Sequence, residues 1–185
     1  MDKQNSSIRI ILITFFLLFL SQIVYGKSKN ETKFIESLKK IDSKIVANKK
    51  LTKETYEKLL NLYTQYDVSN FKLENQVKGN YFFYLCDGAS IFKGTPENIT
   101  NFCSEADRIY SKHNLYKGKG MKEIENFLSG TLSMQYAWKY YYSKNVKHLK
   151  LSKKYINKNL KLKNSKKDIW HYYAALKSIS IINRT

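Results

Sequence analysis

Apolar positions along this chain recur at three- and four-residue spacing, the period of a helix face. Phe34, Leu38, Ile41 and Ile45 mark the first such face. Thr52 predicts the N-cap of a second helix, with Leu51 and Tyr56 placed as a hydrophobic staple around it. Tyr56, Leu59, Leu60, Tyr63 and Tyr66 then form its apolar stripe. A third helix is expected over 79–93, ended by Lys93-Gly94-Thr95-Pro96. Thr95 caps the fourth, with Pro96 at the first helical position, where its missing N–H costs nothing. A long fifth helix is expected from Met121 to Ser143 and a sixth over 146–162. Ser165-Lys166-Lys167-Asp168 reads as the capping box of a seventh. No alternating run with turn chemistry argues for a sheet. The predicted fold class is all-α, about seven antiparallel helices joined by short loops as helical hairpins, in a bundle or a short solenoid.

At the level of architecture, residues 32–182 resemble tetratricopeptide-type helical-hairpin proteins. Trp138 is followed by Tyr141 and Tyr142, where that family's repeat carries Leu and Gly. Hairpin starts near 32, 79, 121 and 166 are also more widely spaced than the family's repeat of about 34 residues. The resemblance therefore implies helical hairpins and no particular binding residue.

The first 26 residues follow a different rule. Lys3 and Arg9 precede an apolar run, Ile10–Leu20, broken only by Thr14. Val24-Tyr25-Gly26 then places small or tolerated residues where a signal peptidase reads them. A membrane anchor normally takes about 20 apolar residues, and this run has eleven. The expectation is a signal peptide over 1–26, cleaved after Gly26, and a single helical domain over 27–185, secreted or periplasmic.

An oxidising compartment changes what two cysteines mean. Cys86 on the third helix and Cys103 on the fourth are about equally far from the turn at Thr95, so antiparallel packing would level them for a disulfide. The loop closed has 18 residues, worth about 3 kcal/mol on a chain-entropy argument. The rival reading, a catalytic thiol, wants a nearby histidine. His113 lies ten residues beyond Cys103, about 15 Å along a continuous helix.

Charge divides the chain unevenly. Residues 27–93 carry 13 basic and 8 acidic side chains; residues 94–185 carry 18 and 6. Lys139–Lys167 holds eleven lysines and no Asp or Glu. On a helix wheel Lys147, Lys150, Lys154, Lys158 and Lys161 fall within about 80° of one another, with Val146, Leu149, Ile156 and Leu160 opposite. Abundant Lys, Asn, Ile and Tyr with one Pro is the signature of an AT-rich genome, which inflates lysine everywhere. The first helices nevertheless mix signs and this one does not. Two readings follow: a solvated face, or a surface for an anion. The anionic partner expected first is an acidic protein, then an anionic lipid surface or an acidic polysaccharide. Nucleic acid is disfavoured by the export signal, and by arginine occurring only at 108 and 184 after Gly26.

Tyr136, Trp138, Tyr140, Tyr141 and Tyr142 put five large aromatics in seven residues, too many to face inward together. They read as hairpin packing or as a contact surface for sugars or peptides. His113, His148 and His171 have no metal-ligand spacing and no H-E-x-x-H occurs, so neither metal nor cofactor is expected. The function these features favour is an exported, non-enzymatic helical interaction protein: a scaffold, an adaptor, or an inhibitor of the immunity-protein kind. The alternative is a small secreted enzyme whose site is assembled from residues distant in sequence.

Overall fold

The computed structural model describes residues 28–117, 120–162 and 169–184. The leader and the capping box at 165–168 lie outside them. Seven α-helices and two 3-10 turns make up the regular structure of the described residues, with no strand among them. They are α1 (Lys29–Asn48), α2 (Lys53–Gln65), α3 (Asn75–Ile91), α4 (Pro96–Lys112), α5 (Met121–Ser143), α6 (Val146–Lys161) and α7 (Ile169–Ile182). The short turns are Val68–Asn70 and Leu115–Lys117. The all-α expectation holds. The chain divides between Gly94 and Thr95 into two compact units.

The helix boundaries follow their caps. The Thr52 hydroxyl accepts from the Thr55 N–H while the Thr55 hydroxyl accepts from the Thr52 N–H, a closed capping box at the start of α2. Leu51 and Tyr56, the expected staple, are both buried. Thr95 caps α4 by accepting from the Asn98 N–H, with Pro96 in the first turn. The third helix departs from expectation by starting at Asn75 rather than 79. Its periodicity is weak because every residue from Gly79 to Ala89 is buried, so no polar stripe marks its course.

In the first unit, α1, α2 and α3 enclose an aromatic core. Phe34 meets Tyr66, Phe71 and Tyr81 edge to face at 5.2–5.8 Å between centroids, the arrangement ring quadrupoles favour. Tyr81 is fully buried, and its hydroxyl donates to the Leu59 carbonyl. Tyr56 lies against the backbone of Gly88, where a Cβ would come within 2.2 Å of the ring. Asp42 is buried on the inner face of α1, and neither carboxylate oxygen has a hydrogen-bond partner.

In the second unit, α5 packs against α4, α6 and α7. The α5–α6 interface is threaded by small polar side chains. Ser152 donates to the Ser133 carbonyl at 2.8 Å, and Asn159 donates to the Asn126 carbonyl at 3.2 Å. Position advances along α6 as it recedes along α5, so the pair is antiparallel. Toward α7, the Ser133 and Ser178 hydroxyls lie 3.0 Å apart. Ser129, Ser133, Ser152 and Ser178 are fully buried, small enough for the helices to approach closely and each with a polar partner.

Candidate functional site

Two features of the second unit carry chemistry: the outer face of α6 and the turn that leads into it. α6 starts cleanly because the Asn145 side chain accepts from the Lys147 N–H at 2.9 Å. Its buried residues are Ser152, Tyr155, Ile156 and Asn159. This corrects the expected apolar side. Val146 is exposed and Leu149 and Leu160 are half-buried, because α6 meets α5 through the serine–asparagine contacts rather than through a stripe of leucines. Lys147, Lys150, Lys154 and Lys161 fall opposite that face and are exposed. Among the described residues no carboxylate pairs with any of the four.

Lys158 does not belong with them. It stands about 60° from Tyr155 around the helix, close enough for its long side chain to bend inward. Its ammonium lies 2.6 Å from Asp107 Oδ1 and 3.3 Å from Glu125 Oε1, with 22% of the side chain exposed. It also sits 4.6 Å over the centroid of the Tyr116 ring. Asp107, buried on α4, further accepts from the hydroxyls of Tyr116 at 2.7 Å and Tyr155 at 3.1 Å. Burial, reinforced by the Asp107 charge, pushes both phenols well above their ordinary range, so they remain donors. The cluster ties α4, the Leu115–Lys117 turn, α5 and α6 together. Sequence reading missed it. The available signal was Asp107 in step with Cys103 and Tyr110 on the buried side of α4.

The aromatic run at the end of α5 divides as well. Tyr136 is half-buried: its ring stacks parallel to Tyr155 at 6.0 Å and its hydroxyl lies 3.2 Å from that of Ser104. Tyr140 is half-buried. Trp138, Tyr141 and Tyr142 are exposed, Tyr142 at 77%. They form one cluster, with Trp138 stacked on Tyr142 at 5.9 Å and Tyr141 edge-on to both. Lys144 lies 5.1 Å over the Tyr141 ring. The turn beneath is braced. Lys144 takes a left-handed conformation and donates its N–H to the Tyr140 carbonyl, and the Ser143 hydroxyl bridges the Asn145 N–H and the His148 ring.

Cys86 and Cys103 are disulfide-bonded, so neither sulfur is available as a nucleophile. No group of three or more His, Cys, Asp or Glu side chains among the described residues could hold a metal ion. None of the described helices is long and apolar enough to cross a membrane. No family model, curated protein or solved structure matches the chain.

Proposed function

We infer that this is an exported, non-catalytic helical interaction protein of the helical-hairpin kind that uses the α6 face to hold an anionic partner. The observation that carries this reading is that Lys147, Lys150, Lys154 and Lys161 are exposed with no carboxylate paired to them among the described residues, while Asp107 and Glu125 are committed to Lys158 and Glu105 to Arg108. Four like charges along a helix repel by a few tenths of a kcal/mol per neighbouring pair. A face that serves only to keep the helix in water has no need of that cost. Beyond the lysine face, a secretory leader and a structural disulfide fit an extracytoplasmic address.

The test is a variant with all four lysines changed to Gln, leaving Lys158 in place. Elution from immobilised polyglutamate should shift to markedly lower salt, with unchanged far-ultraviolet dichroism. Parent and variant eluting together would overturn the reading.

A further inference from the structure

The aromatic cluster at the α5–α6 turn is only partly packed away, with Trp138 and Tyr141 each 36% exposed. Tyr142 is the most exposed large hydrophobic side chain among the described residues, and Trp138, Tyr141 and Val146 are exposed around it. Lys144 and Lys147 flank them, and no Asp or Glu occurs from Asn126 to Lys167. Exposed Trp and Tyr beside lysines, at a helix end and its turn, have the composition of a contact with the polar–apolar boundary of a bilayer. We propose that the α5–α6 turn docks on an anionic lipid bilayer surface, with Trp138, Tyr141 and Tyr142 at headgroup depth and Lys144 and Lys147 on lipid phosphates. This rests on the α6 face being an anion-holding surface and names the partner.

Three features favour a bilayer over other acidic partners. First, the rings pack on one another as one unit. Trp138 and Tyr142 stack at 21°, while Tyr141 stands at 80° and 90° to them. What remains open, Tyr142 above all, is aromatic surface carrying a polar hydroxyl, which suits the headgroup boundary. Second, the cluster projects from a helix end and its turn, whereas docking an acidic peptide calls for a groove. Third, the turn is held by the Lys144–Tyr140 and Ser143–Asn145 hydrogen bonds, so inserting it requires no refolding. A juxtamembrane lysine strengthens partition to anionic lipid about fivefold, and screening by salt weakens that gain. The other exposed lysines of α6 then act at longer range, drawing the protein toward the surface.

The chain has two tryptophans, Trp138 and Trp170. In a Trp170→Phe background, Trp138 emission should move to the blue on vesicles with 30 mol% phosphatidylglycerol and stay put on phosphatidylcholine. Co-sedimentation of the native sequence on the same vesicles gives a second readout. Trp138→Ser with Tyr142→Ser should cut vesicle binding at least tenfold while retention on polyglutamate is unchanged. Vesicle binding that survives this double change sinks the aromatic docking and leaves the lysine-face reading standing. Retention on polyglutamate without vesicle binding by the native sequence does the same and points to an acidic protein. Binding to neither probe overturns both.

Discussion

The Lys158 ammonium lies 2.6 Å from Asp107 Oδ1 and 3.3 Å from Glu125, so the most sheltered lysine of α6 is a structural cation. Removing it leaves two carboxylates, one of them buried, without their counter-ion. Lys158→Gln should therefore lower unfolding stability by about 3 kcal/mol in a urea titration, whereas Lys154→Gln should change it by less than about 0.5 kcal/mol. Pairing Lys158→Met with Asp107→Asn should recover part of the loss. Equal effects at 154 and 158 would contradict the inward placement of Lys158.

Gly88 is the residue on which Tyr56 depends. A methyl group there would overlap the ring at 2.2 Å, and the ring has little room because it also stacks on Phe92 at 5.8 Å. Alanine is the better helix former by about 1 kcal/mol, so propensity alone predicts stabilisation. Overpacking should win, and Gly88→Ala should destabilise by about 1–3 kcal/mol, read as a lower thermal midpoint. Adding Tyr56→Leu should relieve the clash.

Asp42 makes stability depend on pH in an unusual sense. Burial raises its carboxyl from 3.8 to about 7. Between those values the folded chain holds a proton that the unfolded chain has released, so this group's contribution is present at acid pH and declines as pH rises toward 7. The full effect is about 4 kcal/mol, lost by pH 8. Asp42→Asn keeps the shape without the charge. It should flatten this decline and be more stable than the parent at pH 8, measured by urea unfolding across pH 4–8.

Cys86 and Cys103 are both disulfide-bonded, and 18 residues run from one to the other along the chain. Reduction, or replacement of both cysteines by alanine, should cost about 3 kcal/mol in unfolding free energy. Peptide mapping without reductant should recover the Cys86–Cys103 link, and a fully alkylatable thiol at either position would refute it.

Most of the architecture was legible in the chain because caps and periodicity are local. Thr52 and Thr95 set helix starts by side-chain hydrogen bonds three residues on, Pro96 suits the first turn of α4 by its fixed φ, and α5 runs over the expected span, Met121–Ser143. The start of α3 was hidden because burial on all sides erases the amphipathic pattern. The site was legible only in part. The wheel correctly put Lys147, Lys150, Lys154 and Lys161 outside, but it gives directions from the helix axis and not the reach of a side chain. Lys158 left the strip for Asp107, 51 residues earlier, a distance no local rule spans. The buried face of α6 was misjudged for a related reason. Ser152 and Asn159 look like surface residues until their acceptors on α5 are known.

The serine contacts around α5 have a consequence for how the second unit tolerates change. Leucine against leucine forgives sliding, whereas a hydroxyl aimed at one carbonyl does not. Shifting α6 along α5 by one turn, about 5.4 Å, would part Ser152 from the Ser133 carbonyl and Asn159 from that of Asn126. Each orphaned group would cost about 1–3 kcal/mol. The seam thus works as a vernier, allowing one setting of the helices and refusing its neighbours. The outer face of α6 can therefore change in sequence without disturbing the alignment of the three helices, which stays indexed from within.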